Sequence, residues 1–493
     1  MVAHARDAFS DLGFQIVEGA RYLGGHVGTK ASEQLWVRGE VGRWSLGLTR
    51  LAAIARSSPQ MTYAAVMHSF QHEWQYLQRV VSDCSDHFSP LETAIRTVLL
   101  PALFGGADPT EISPDLRSVL SLPIRHGGIS LPDPTVTADT NHTTSSVCTA
   151  LLTDSLLDGT ELSLVDHQKC MAEGKKGATT ERNATATADL AALLSNFPPA
   201  ERRRLDRNQY CGAWISVLPT TVNGLSLSKS EWRDGMRRRY GLALQDLPCK
   251  CDGCGAKFTV EHALACKKGG LVVGRHDEVK AELGSIAMQA LGSNRVRDEP
   301  KIQTGHATNP DSSATSQCSP SNKSSQQSSS SPATSPSNTH DLGSFFDRGD
   351  LLVHSFWDRT TACVFDTRVT DTDQPSYLGT KPAQVLLSQE KGKKKHYQEL
   401  CFQERRHFTP YVVCTSGLLG KEAQETNKRL ARLLALKWDT AYSATVGYVN
   451  ARIGIAIQRA AHLCIRGLRV PFRHASSKIP LWDDGAGLRL LRT

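Results

Sequence analysis

Apolar residues recur at helical spacing through much of the first 135 positions. In "RWSLGLTRLAAIARSS", Leu46, Leu51 and Ile54 fall close to a 3.6-residue period, and "TYAAVMHSFQHEWQYLQRVV" keeps the habit for about five turns. The Gly- and Pro-rich "LSLPIRHGGISLPDP" closes this part as a loop. Residues 136–200 are rich in Thr, Ala and Ser, with a soft helical pattern at "TADLAALLSNF". A further helix is expected at "SLSKSEWRDGMRRRYGL". In "RHDEVKAELGSIAMQALG" the pattern is sharper: Val279, Leu283, Ile286 and Ala290 stand at i, i+4, i+7 and i+11, an apolar stripe. Glu278 sits beside that stripe. The period then changes. "RGDLLVHSF" reads as a strand led by Asp350, and "ACVFDTRVT" as another, in which Asp366 and Arg368 share a face with Ala362 and Val364. "TPYVVCTSG" is strand-like, and two amphipathic helices follow at about 421–436 and 440–465. No internal repeat interrupts this order.

Composition changes the picture at one place. Between Asp311 and Asn338, 13 of 28 residues are serine, too few apolar groups to offset the entropy of ordering. Residues 304–340 are therefore expected to be a disordered insertion, and because strand-like sequence resumes at once, it interrupts a domain instead of separating two. At 493 residues the chain has room for two to four domains. A net charge of +8 leans toward a polyanionic partner without proving one. No stretch reaches the ~20 apolar residues of a membrane span, and no secretory leader pattern opens the chain. Thirteen cysteines, four of them between Cys249 and Cys266, fit a reducing intracellular setting with metal-binding thiols better than a disulfide framework.

Cys251-x2-Cys254-x7-His262-x3-Cys266 has the spacing of a closed tetrahedral zinc site, with Gly253 and Gly255 easing the knuckle and His262 and Cys266 one helical turn apart. Four protein ligands imply structural zinc. Cys249 is an open alternative to Cys251, and the plain reading is unrelated buried cysteines. Asp350 and Asp366 on neighbouring strands, with Glu278 from the preceding helix, would gather three carboxylates, a donor set for Mg²⁺ or Mn²⁺ that can activate water and neutralise phosphate charge. Acids at strand ends are also often merely solvated.

The ordered series "CDGCGAKFTVEHALACKKGG", "RHDEV", "EP", "RGDLLV" and "VFDTRV" resembles the C-terminal region of non-LTR retrotransposon polyproteins, in which a CCHC zinc motif precedes a restriction-like PD-(D/E)xK endonuclease. "GARYLGGHVGT", "SSPQMTYAAVMHSFQHEWQYLQRVV" and "LSLPIRHGGISLPDP" resemble the thumb region that follows a reverse-transcriptase palm. The likeness spans most of the chain apart from 136–200 and the serine-rich segment. It implies an α+β multidomain protein: a helical thumb-like region at 1–135, a helical linker region at 136–245, a zinc knuckle at 246–270, and an α/β restriction-endonuclease-like domain at 271–475. It implies zinc on Cys251, Cys254, His262 and Cys266, magnesium on Glu278, Asp350 and Asp366, and a cation from Arg368 or from Lys391 or Lys394 in "EKGKKKHY", beside Tyr397. The family's PD proline is absent, since Gly349 precedes Asp350. The implied activity is nicking of target DNA to prime reverse transcription, inside the cell and in the nucleus when DNA is the target. Element RNA is a second partner left open, and no membrane is involved. The sole Asp-Asp pair, Asp483-Asp484, lacks the hairpin pattern of a polymerase palm, so no polymerase site is expected. The rival readings are a non-catalytic zinc-dependent nucleic-acid-binding fragment and a decayed reading frame.

Overall fold

Thr29 starts the first long helix of the chain: its hydroxyl accepts the Ser32 N–H, satisfying a donor that the first turn leaves free. A computed structural model describes this and the rest of residues 2–12, 16–106, 108–302 and 348–469. The insertion expected at 304–340, Asp483-Asp484 and the last residues of the 271–475 span lie outside the described residues. The described chain is mostly helical, with a two-stranded hairpin and one small four-stranded sheet.

A hairpin of β1 (Gly19–Tyr22) and β2 (Gly25–Gly28) leads into α1 (Lys30–Ala55). The helix lies where the pattern puts it, but on a different face. Val37, Val41, Trp44, Leu48, Ala52 and Ala55 are buried, whereas Leu46 and Ile54 are 53% and 52% exposed. The stripe through Trp44 wins because that ring stacks on Phe88 and meets the edge of Trp74, more apolar area than Leu46 could cover. Two long helices, α2 (Pro134–Asp158) and α3 (Leu164–Asn196), pack along each other and account for the softly patterned region. Their buried positions are few and mostly small, among them Ala138, Cys148, Ala178 and Ala186, which is why no strong stripe marks them. Next come α4 (Pro199–Asn208) and α5 (Lys229–Tyr240). Ser228 and Glu231 form a reciprocal capping box at the start of α5, and Gly241 ends it at φ 72. One apolar core runs from Val37 through Trp74, Phe104 and Trp232 to Tyr240, so packing continues across position 135.

C-terminal to these come α6 (Val260–Ala265), α7 (Leu271–Leu291), β3 (Val296–Asp298), β4 (Leu351–His354), β5 (Ala362–Thr370), α8 (Pro382–Gln403), β6 (Arg406–Cys414), α9 (Lys421–Trp438) and α10 (Tyr442–Arg466). The sheet order is β3-β4-β5-β6. The first three strands are antiparallel neighbours, and β6 runs parallel to β5 because α8 carries the chain back across the sheet. Strand alternation sorts the side chains. Leu351, Val353, Cys363, Phe365, Tyr411 and Val413 join the core with α7, α9 and α10. Leu352, Val364 and Phe408 pack with Cys401 of α8 on the other face, as Val412 and Cys414 do with Leu386. Val279, Leu283 and Ile286 of the predicted stripe are buried against the sheet. A third cluster joins Cys251, Phe258, Leu264 and Cys266 to Ala461, Cys464 and Ile465 of α10. No helix among the described residues is long and apolar enough to cross a membrane.

Candidate functional site

The four residues picked out by spacing close on one another. The ligand atoms of Cys251, Cys254, His262 and Cys266 all lie within 4.8 Å of each other. Local backbone does this. Cys251 donates its N–H to Ala256 and accepts from Gly255, forming a turn in which Gly255 takes φ 73, and Thr259 caps α6 by accepting the His262 N–H. Cys251 and Cys266 sulfurs are 3.8 Å apart, those of Cys254 and Cys266 3.9 Å, and Cys254 Sγ is 3.3 Å from His262 Nε2. A tetrahedral zinc with ~2.3 Å bonds to sulfur needs thiolates roughly 3.8 Å apart, so the donors fit. The cluster could hold a metal ion such as zinc. Cys249 is exposed and takes no part in the cluster; only its carbonyl is engaged, by the Phe258 N–H.

This module is tied to the sheet by one buried guanidinium. Arg275, in α7, donates to the Leu264 carbonyl of α6 at 2.6 Å and to the Val369 carbonyl of β5 at 3.2 Å. Arg469, also buried, lies over the Phe258 ring, donates to the Ala263 carbonyl and gives its backbone N–H to Asp252. The cysteine module is thus anchored to α7 and α10, not merely strung between them.

The next residue in α7 reaches a second cluster. His276 Nε2 is 3.0 Å from Asp350 Oδ2, and the same oxygen accepts the Thr367 N–H at 2.5 Å. Asp366 is buried and forms an ion pair with Lys393 of α8, whose ammonium also sits 6.0 Å from the Tyr397 ring centroid. Asp350 and Asp366 feel each other's charge. Burial, reinforced by Asp350, pushes the Asp366 carboxyl up despite the Lys393 ammonium. Burial also acts on Asp350, but the bond and charge of His276 outweigh it and hold that carboxyl below its usual range. The bond to Asp350 in turn raises His276 against its own burial, and Asp277 at 3.1 Å from Nδ1 adds to the effect. Two carboxylates and an ammonium therefore meet on the α8 face of the sheet.

Three expectations need correction. Glu278 is not brought to Asp350 and Asp366. It turns toward Arg459, Glu282 and Glu231, where burial pushes its carboxyl up. The reason is helical phase: His276 and Lys280 face the strands, Lys280 pairing with Asp298 of β3, while Glu278 and Glu282 face α10, where Glu282 pairs with Arg452. Lys394 pairs with Glu422 instead of the carboxylates, and the exposed Lys391 lies two residues short of the lysine that does reach them, Lys393. Arg368 shares the face of Asp366, as alternation requires, but is exposed, and the contact to Asp366 is made by Lys393.

The signals for the missed residues were present. His276 continues the apolar stripe of α7 backward, three residues before Val279 and seven before Leu283. Lys393 lies on the stripe Leu386, Tyr397, Leu400 and Cys401 of α8, the side that packs on the sheet, whereas its lysine neighbours do not. No protein-family model matches the chain, and no curated protein sequence matches it.

Proposed function

We propose that this is a retrotransposon-derived protein whose C-terminal part is a magnesium-dependent DNA endonuclease of restriction-like fold, braced by a structural zinc. It would nick target DNA to expose a 3′ hydroxyl for primed reverse transcription, without a polymerase palm of its own. One observation carries the reading: Asp350, Asp366 and Lys393 meet on a frame whose order is helix, three strands, helix, strand. A cation on Asp350 and Asp366 would supply an activated water and offset phosphate charge. Lys393 places a positive charge beside Asp366, where a scissile phosphate would lie. His276 and the Thr367 N–H fix the orientation of Asp350. Arg275 joins the zinc module to the same stretch of α7, so zinc acts as scaffold and the carboxylates as chemistry.

A second reading, a non-catalytic zinc-dependent nucleic-acid-binding fragment, draws on the fact that both carboxylates already have internal partners, Asp366 in Lys393 and Asp350 in His276. Purified protein is incubated with supercoiled plasmid and Mg²⁺ or Mn²⁺, beside Asp366→Ala. Nicking by the parent alone supports the nuclease. Salt-dependent binding by both, with nicking by neither, leaves the binding fragment.

A further inference from the structure

A cavity of about 270 Å³ lies where α4 and α5 meet the cysteine module and the loop that follows β5. It is lined by four arginines, Arg204 and Arg207 from α4 and Arg238 and Arg239 from α5, facing three acids, Glu261, Asp371 and Asp373. None of these belongs to the carboxylate cluster or to the cysteine ligands.

The arginines are unequally satisfied. Arg207 pairs with Asp373, and Arg239 donates to the Asn208 carbonyl, Cys211 Sγ and Tyr240 Oη. Arg238 spends one of its five N–H donors, on the Thr415 carbonyl at 2.9 Å. Burial, with Arg207 close by, pulls this guanidinium down to about 10. Arg204 makes no hydrogen bond among the described residues. Its guanidinium lies over Gly241, where an added Cβ would come within 2.1 Å of Cζ, so the glycine that ends α5 also leaves room for the arginine. Among the described residues, Arg204 and Arg238 thus keep unspent donors on the cavity wall. Asp371 does not use them up, for its oxygens accept from the Thr415 hydroxyl, the Asp373 N–H and Gln374 Nε2.

Enclosed guanidinium groups with unspent donors are costly unless an anion completes them. The donors are guanidinium forks, which suit an oxyanion with several acceptor oxygens. The volume falls just under the ~300 Å³ at which pockets begin to hold whole organic ligands. We propose that this cavity binds a single phosphate group through Arg204 and Arg238. The group is either free phosphate or the terminal phosphate of a nucleic-acid strand. The proposal is independent of the nuclease reading, since no residue is shared.

The test uses the zinc-loaded full chain in magnesium-free buffer, so that the carboxylate pair cannot recruit phosphate through a cation. Titrations with inorganic phosphate at constant ionic strength are followed by calorimetry and thermal shift, for the parent, Arg204→Gln and Arg238→Gln. A 5′-phosphorylated oligonucleotide is compared with its 5′-hydroxyl form. Saturable binding is expected, weakened at least about tenfold in each variant, as loss of a charged hydrogen bond implies. Arginine-dependent preference for the 5′-phosphorylated strand identifies a strand end, and a response to inorganic phosphate alone identifies the free ion. Either result supports the site. Should Arg238→Gln fail to fold, the less buried Arg204→Gln carries the comparison. Equal affinity in parent and variants, or no binding of any phosphate by the parent, overturns the proposal.

Discussion

The cysteine module and the carboxylate cluster sit at opposite ends of a scale of locality. The first draws its four ligand residues from Cys251 to Cys266, and its geometry follows from a tight turn and a single helical turn. The second needs His276 from α7, Asp350 from the start of β4, Asp366 from β5 and Lys393 from α8. Its geometry depends on sheet register, helix phase and a crossover. The difference teaches where sequence reasoning holds. Spacing within a turn is a geometric constraint in itself, whereas spacing across a hundred residues constrains nothing until packing decides which face each helix presents.

The largest effect should come from breaking the local cluster. Zinc supplies folding free energy outright in small modules of this kind, on the order of 10 kcal/mol. Cys254→Ser, or a strong chelator, is expected to release one equivalent of zinc and to loosen the module from α10. Metal analysis with hydrogen exchange over 246–270 reads this out. Unchanged protection there after metal loss would mean that the apolar contacts to Ala461, Cys464 and Ile465 suffice by themselves.

Asp366→Ala comes next, and it separates the clusters. Under the proposed nuclease reading, removing one of the two carboxylates should lower nicking by about 10³-fold, from several kcal/mol of lost charge stabilisation. Zinc content should stay the same. Loss of zinc in this variant would mean that the clusters are not independent.

The platform under the cysteine module can be weakened without touching either cluster. Asp234 of α5 is buried and holds Arg466 and His462 of α10. Burial pushes its carboxyl up, but Arg466 and His462 outweigh that and bring it below its usual range. A depressed carboxylate contributes stability above its unfolded value and loses it as pH falls through the folded one. Stability should therefore drop below about pH 4. Asp234→Asn should cost about 3 kcal/mol at neutral pH and flatten that acid limb. Denaturant melts across pH check both.

The helices α1, α5, α7, α9 and α10, the strands β4, β5 and β6 and the cysteine ligands were readable from periodicity and spacing, whereas β1, β2, β3, α4 and α8 were not. What failed besides these was facing. Leu46 and Ile54 have the right period on the wrong side of α1, because period fixes a helix and only the neighbours fix its rotation. The same error chose Lys394 over Lys393. A lysine on the apolar stripe of α8 has its stem on the sheet and its head at the edge, and that position is informative in a run of four basic residues. Lys393→Ala should lower nicking by about 10²-fold, and Lys394→Ala by less than about threefold, since Lys394 pairs with Glu422 and not with the carboxylates. Equal losses in the two would return the assignment to the lysine run as a whole.

The smallest expected effect is also the sharpest test of facing. Glu278 was the helix acid that spacing and resemblance both favoured, yet its surroundings are Arg459, Glu282 and Glu231, on the side of α7 away from Asp350. Glu278→Gln keeps the shape and relieves a carboxylate that burial already pushes up. It should leave nicking within about twofold and stability within about 0.5 kcal/mol. His276→Gln, two residues earlier, removes the ring that holds Asp350 and should lower nicking about tenfold, with the loss deepest where the imidazole would be charged. Side-by-side rates for these two variants compare two faces of one helix directly. A larger loss from Glu278→Gln would mean that α7 turns when the protein acts on DNA as proposed, and that the facing described here belongs to another state.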